Sequence, residues 1–247
     1  MDTLLFDLDD TLISFDGVTE FSWTQAVDRF LERQGGTASK AEMVGRILET
    51  RDWYWSDPER HRLGRKNIQQ ARREVVRLAL GSQGTYPGAE LDRLADEYSA
   101  IHWQAVHVFD ASQAVLESFR SQGVSLYLVT NGTSKEQRDK IERFDLGKFF
   151  DGIYIEEEMG FGKPDPRVFP HVLSSANLKP EQVAMIGDNY LWDLKAPKSA
   201  GIFGVWLNSK KKALTFEPGS EPDMVIETIG DLLRPEIREK LILRSTP

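Results

Sequence analysis

A doubly wound, mostly parallel α/β sheet interrupted by an all-helical insertion is the fold class predicted for this chain of 247 residues. Three observations lead there. The apolar run Thr3-Leu4-Leu5-Phe6 has the length and composition of a buried strand and stops at Asp7-Leu8-Asp9-Asp10-Thr11-Leu12. The roughly ninety residues that follow carry helical periodicity without a convincing strand. From about Asp110 short strand-like runs alternate with helical segments, which implies parallel pairing with right-handed crossovers. The first strand belongs to that sheet. Residues 15–107 are therefore expected to form a helical cap inserted between residues 1–14 and 108–247.

Within the insertion, Trp23, Ala26, Val27, Phe30 and Leu31 lie on one helical stripe that Gly35-Gly36 stops. Ser39 followed by Glu42 reads as a capping box for a second helix, with Ala41, Val44 and Leu48 inward. A third helix is expected from about Pro58 to Leu80, and a fourth from the Tyr86-Pro87-Gly88 turn to about His107. The alternating part opens with a helix that ends at Gly123, then a strand over Val124–Val129 that stops at Thr130-Asn131-Gly132. Ser134 with Gln137 reads as the cap of the next helix, and Gly152–Ile155 as a strand. After a Gly- and Pro-rich loop, Asp165 is placed as N-cap with Pro166 at the first helical position, and Pro170 should bend that helix or shift its start. Val183–Gly187 and Phe203–Leu207 are further strands. Asp223–Ile226 is a weaker one, and Pro235–Pro247 a terminal helix and tail.

Composition excludes several classes. Charged residues at 28% and hydrophobic residues at 40% describe a globular chain, and no apolar run approaches a membrane span. With no cysteine there are no disulfides, thiolate metal sites or cysteine nucleophile. The first strand starts almost at Met1, so secretion is not expected and the cytoplasm is. A net charge of −8 argues against general nucleic-acid binding. The expected partner is a small molecule, with no nucleic acid and no membrane, and the protein a monomer or homodimer.

Asp7 and Asp9 are two apart at a strand end, and on an extended chain they would share one face. Ionising both would be expensive unless a metal offset the repulsion, and Mg2+ needs few protein carboxylates. A turn with solvated acids is the structural alternative. Three more polar signals lie at strand ends or between them: Thr130-Asn131, Lys163, and Asp188 with Asp193. Singly, each reads as turn or loop chemistry. Together they place a nucleophile, an acid, a metal site, a cation and a phosphate hydrogen-bonder where open parallel sheets bind ligands.

In this arrangement the chain resembles the haloacid dehalogenase superfamily, whose members are mostly phosphohydrolases with a Rossmann-like core. Asp7–Leu12, Leu128–Gly132, Gly162-Lys163-Pro164-Asp165-Pro166, and Gly187-Asp188 with Asp193 match its four motifs in order. The resemblance covers residues 1–14 and about 110–208, and the insertion sits where relatives carry a helical cap. It implies a Mg2+-dependent phosphatase acting on a small phosphate ester through an aspartyl-phosphate. Asp7 would be the nucleophile, Asp9 the acid and base, and Lys163 the charge-offsetting cation. Thr130, Asn131 and Lys163 would hold the phosphate. Metal ligands would be Asp7, the Asp9 backbone carbonyl and Asp188, with Asp193 bound through water or orienting from behind. Ala196-Pro197 replaces the Gly-Ala pair that starts the next helix in many relatives, so a shifted start with an intact site is expected. A hydrolytic 2-haloacid dehalogenase, in a branch that lacks the second acid, a phosphomutase, and a catalytically silent binding module are the alternatives.

Residues 51–80 hold eight basic and four acidic side chains, a local +4. Most such charges pair with acids elsewhere on the surface. The functional alternative is that some arginines recognise a second anionic group on the substrate, with Arg51 beside Trp53-Tyr54-Trp55 the preferred candidate. Those aromatics serve equally well as cap core. The cap is expected to close over substrate and set selectivity.

Overall fold

The computed structural model describes residues 2–35, 38–81, 84–216 and 218–242. In chain order its elements are β1 (Thr3–Phe6), β2 (Ile13–Ser14), α1 (Thr19–Gln34), α2 (Lys40–Ser56), α3 (Pro58–Gly64), α4 (Ile68–Leu80), α5 (Gly88–Ala105), β3 (His107–Val108) and α6 (Ser112–Arg120). There follow β4 (Ser125–Thr130), α7 (Ser134–Arg143), β5 (Gly152–Ile155), α8 (Glu156–Met159), α9 (Val168–Ser175), β6 (Val183–Gly187), α10 (Ala196–Lys198), β7 (Phe203–Leu207), β8 (Met224–Ile226) and α11 (Pro235–Ile242). The chain divides into two compact units, one of residues 1–14 and 107–247, the other of residues 15–106. Among the described residues no helix is long and apolar enough to cross a membrane.

The first unit is a six-stranded sheet in the order β5-β4-β1-β6-β7-β8 with every pairing parallel. From β1 the chain steps outward to β4 and β5, returns to β6 on the other side, and steps outward again. The reversal lies between β1 and β6, where a doubly wound sheet opens a crevice beyond its strand ends. Strands covered on both faces need apolar side chains at successive positions. Leu4, Leu5 and Phe6 are all buried, as is every residue of β6 and β7. Leu5, Val129 and Met185 pack with Val168, Phe169 and Val172 of α9 in one core cluster. Antiparallel β2 and β3 pair beside the sheet, Ile13 opposite Val108.

The second unit has its own core of Trp23, Val27, Phe30, Ile47, Tyr54, Val75, Leu91, Leu94 and Tyr98 among others. The Trp23 and Tyr98 rings stack with centroids 3.6 Å apart. Four helices, α1, α2, α4 and α5, supply this core. Such a cluster contributes on the order of 2–5 kcal/mol for each large side chain truncated to alanine.

Several local expectations are corrected. In α2 the buried face is Met43, Val44, Ile47 and Tyr54, whereas Ala41 is exposed and Leu48 half-buried. Ser39 does cap it, accepting from Glu42 N–H at 3.4 Å. The single helix expected over 58–80 is broken by a 3-10 turn at Arg65–Asn67, and Asn67 restarts α4 by accepting from Gln70 N–H at 3.1 Å. The cap of α7 is Thr133 rather than Ser134, accepting from Glu136 N–H at 3.3 Å. Asp165 does not cap a helix either. It closes a turn on Arg167, and α9 starts at Val168, which leaves Pro170 in the first turn, where no intrahelical N–H bond is lost. Gly36 and the tail 243–247 lie outside the described residues.

Candidate active site

β1 delivers Asp7 to the crevice. The Asp7 N–H donates to the Ile186 carbonyl at 3.0 Å, which continues the β1–β6 ladder by one residue. The chain then turns tightly: Leu12 and Ile13 N–H donate to the Leu8 carbonyl at 2.9 and 3.2 Å, and Asp10 takes a φ of 59°. Aspartate tolerates that left-handed backbone better than most residues. Buried Leu8 and Leu12 anchor the loop, and the Thr11 hydroxyl donates to Asp7 Oδ2 at 3.2 Å.

Lys163 reaches the same point from the loop before α9. It is 1% exposed, and its Nζ donates to Asp7 Oδ1 at 2.8 Å and to Asp193 Oδ1 at 2.6 Å. Its backbone is clamped by Asn131, whose Oδ1 accepts from Lys163 N–H at 2.8 Å while Nδ2 donates to the Lys163 carbonyl at 2.6 Å. The Asn131 side-chain amide therefore positions the lysine loop. The loop approaches closely enough that a Cβ on Gly162 would lie 2.8 Å from Asn131 Oδ1.

Asp188 and Asp193 follow β6. Asn189 accepts from Leu191 and Trp192 N–H at 3.1 and 3.2 Å and opens a π-helical turn over Tyr190–Lys195. This turn brings Asp193 back over the strand end, where its Oδ2 accepts from Asn189 N–H at 3.0 Å. Gly187 has to be glycine, because a Cβ there would stand 2.3 Å from Asp193 Cγ. Pro197 then sits in the short α10.

Three carboxylates crowd this space while Lys163 bonds to two of them, and ionisation suffers. Burial pushes Asp7 up to about 7, Lys163 opposes, and Asp193 and Asp9 add to the rise. Burial and the negative charges of Asp193, Asp7 and Asp10 push Asp188 up to about 8, against Lys212. Burial alone would lower Lys163, but Asp193 and Asp7 outweigh it and hold the ammonium charged. Oxygen atoms of Asp7, Asp188 and Asp193 all lie within 4.8 Å of one another, so a hard cation fits this donor set and would relieve its excess negative charge.

The side chain of Asp9 is not among those three. Its Oδ1 and Oδ2 both accept from Lys140 Nζ at 2.8 Å, and Oδ2 also accepts from Gln137 Nε2 at 3.0 Å. The Thr130 hydroxyl accepts from the same Gln137 amide at 2.9 Å. Lys140 and Gln137 were missed from sequence. In the helical unit, Arg51 pairs with Asp16 and with Asp52 at 3.0 Å. Trp53 is exposed under Arg60, and Trp55 is half-buried against that unit's core. Arg73 and Arg77 pair with Asp96 and Asp92. Arg72 lies 5.2 Å over the Tyr98 ring and, among the described residues, pairs with no acid.

Residues 1–201 match the haloacid dehalogenase-like hydrolase family. The chain belongs to that family. It is 29% identical to phosphoserine phosphatase of Thermus thermophilus over 98% of this chain and all of that protein. It is 26% identical to the pyrimidine 5'-nucleotidase PynA of Streptococcus pneumoniae over 93% of this chain and 92% of the nucleotidase. Among solved structures, the putative hydrolase YfnB of Bacillus subtilis, bound to magnesium, superposes with a TM-score of 0.72 at 23% identity, over 97% of this chain and 98% of YfnB. That likeness establishes the fold.

Proposed function

We propose that this protein, a phosphatase of the haloacid dehalogenase-like family, hydrolyses small phosphate monoesters through a phosphorylated Asp7. The observation that carries the reading is the convergence of Asp7, Asp188 and Asp193 beyond the ends of the central strands β1 and β6, with Lys163 bound to two of them and a fourth carboxylate, Asp9, held by its own partners. An Asp7 oxygen attacks phosphorus, the bond to the leaving oxygen breaks, and Asp9 supplies the proton that this oxygen takes up. Water then adds to phosphorus, Asp9 accepts its proton, and the bond to Asp7 breaks to release phosphate. Lys163 offsets the negative charge that nucleophile and phosphate bring together, while Thr130 and the Asn131 backbone orient phosphate oxygens.

Mg2+ suits the acidic pocket. Asp7, Asp188 and the Asp9 carbonyl would hold it with Asp193 alongside, and when bound it supplies charge neutralisation at the phosphoryl oxygens. Asp7 and Asp188 then remain carboxylates near neutral pH, which their raised pKa values otherwise resist. Selectivity we assign to the helical unit, with Arg51, Trp53 and Trp55 as the sequence suggests and Arg72 added because its guanidinium has no acidic partner among the described residues.

Phosphate release from a panel of sugar, nucleotide and organic-acid phosphates tests the proposal. Activity should need Mg2+, disappear with chelator, and disappear in Asp7→Asn. Turnover that survives chelation or the substitution overturns it.

A further inference from the structure

Helix α7 has the composition of a solvated surface element. Seven of its ten residues are charged, and Ile141 is its one aliphatic side chain. Yet Gln137 and Lys140 are 2% and 5% exposed. Gln137 lies three residues before Lys140 and four before Ile141, which puts it on one face of the helix with both. A lysine on such a helix would ordinarily leave its ammonium in water, since removing that charge from solvent is costly without a partner. Here it is turned inward onto both oxygens of Asp9, each 2.8 Å from Nζ, which fixes the plane of the carboxylate as well as its place.

Gln137 completes the hold. Its Nε2 faces three acceptors: Asp9 Oδ2, the Thr130 hydroxyl and the Asn131 carbonyl. Two of these can only accept, so the amide nitrogen must point at them and the orientation is determined. In consequence Oε1 is buried without a hydrogen-bond partner among the described residues. A glutamine whose task was only to pack would turn to satisfy both ends. This one ties Asp9 to the two residues at the end of β4 that line the phosphate side of the site.

We infer that Lys140 and Gln137 are positioning residues, which fix the Asp9 carboxylate relative to Thr130 and Asn131 so that it can deliver and collect the proton at the leaving oxygen and at water. The inference rests on the reading of Asp9 as acid and base. A merely structural pin between α7 and the Asp9 loop would affect every substrate alike. A positioning role makes a sharper demand: damage must depend on how much the leaving group needs a proton.

The test compares an alkyl phosphate with 2,4-dinitrophenyl phosphate, whose leaving group departs as a stable anion, in wild type, Lys140→Met, Lys140→Arg and Asp9→Asn. Single-turnover transfer from the alkyl ester should fall about 10²-fold in Lys140→Met, within the range typical of general acid catalysis. The pre-steady-state burst of dinitrophenolate should stay within about threefold of wild type, and Lys140→Arg should recover most of the alkyl rate. Gln137→Leu should show the same leaving-group dependence at smaller size, and it serves if Lys140→Met does not fold. Equal losses on both esters, or none on either, in folded Lys140→Met or Gln137→Leu overturn the positioning role provided Asp9→Asn retains the dependence. If Asp9→Asn itself loses both rates equally, the acid–base reading falls and this inference with it.

Discussion

A methyl group on Gly187 displaces Asp193. The added Cβ would stand 2.3 Å from Asp193 Cγ and 2.4 Å from its Cβ and Oδ2. Carbon atoms out of contact repulsion sit roughly 3.5 Å apart, so the carboxylate must retreat by about 1.2 Å. Its Oδ1 is 2.6 Å from Lys163 Nζ, and Lys163 is 1% exposed. A retreat along that direction lengthens the bond to roughly 3.8 Å, beyond hydrogen-bond reach. Breaking a buried ion pair costs about 3–5 kcal/mol, and the lower end applies because Lys163 keeps Asp7. At about 2–4 °C per kcal/mol for a chain of this size, Gly187→Ala should melt roughly 6–12 °C below wild type. With Lys163 no longer held by Asp193, the Asp7–Lys163 pair is less firmly placed and kcat should fall on the order of 10²-fold, as a 1 Å misplacement can cause. Differential scanning calorimetry and steady-state phosphate release measure the two effects. A melting temperature within about 2 °C of wild type together with kcat within about twofold would refute the claim that Asp193 rests on the strand at Gly187.

Two further outcomes are expected. Because folding raises Asp7 to about 7 and Asp188 to about 8, the folded protein binds more protons than the unfolded chain above the ordinary carboxylate range, so the metal-free protein should lose stability as pH rises through that window. Melting temperature in chelator should fall by at least about 5 °C between about pH 5 and 8, and Mg2+ should restore more at the upper end; a flat profile counts against the charge balance described for the acidic pocket. In the helical unit, Arg72→Ala should change the ratio of kcat/KM between acidic and neutral phosphate esters by about tenfold or more, while Arg51→Ala, already paired with Asp16 and Asp52, should change it less. Identical ratios in wild type and both variants would remove these arginines from substrate selection.

Much of the sheet is legible in the sequence because its strands are short continuous apolar runs closed by recognisable turns. Val183–Gly187 and Phe203–Leu207 are buried at every position, as their composition demands. Helix boundaries were harder where two start signals compete. Thr133 and Ser134 are adjacent, and only the contact with Glu136 decides between them. The residues that converge on Lys163 come from strand ends, so chemistry and topology point to the same places. Lys140 and Gln137 were hidden by the polarity of α7. One signal could have found them: a helix with Ile141 and Phe144 inward must also turn positions 137 and 140 inward, and polar side chains at such positions need partners. The grip of Asn131 on the lysine loop is hidden for a related reason. Its neighbours in sequence say nothing of the Lys163 loop thirty-two residues away that it grips.

The order of the sheet has a bearing on synthesis. β1 is a central strand, yet its neighbours are β4 and β6, and the last of these is completed only at Gly187. At typical elongation rates of about 5–20 residues per second, roughly 10–35 s separate the emergence of Asp7 from that of its second neighbour. Throughout that interval the Leu4-Leu5-Phe6 segment has at least one unpaired edge, open to misassembly with other nascent chains. The charges arrive in a favourable sequence, however. Lys163 precedes Asp188 and Asp193, so the cation that binds Asp7 in the folded protein is made before the two further acids that crowd the same space.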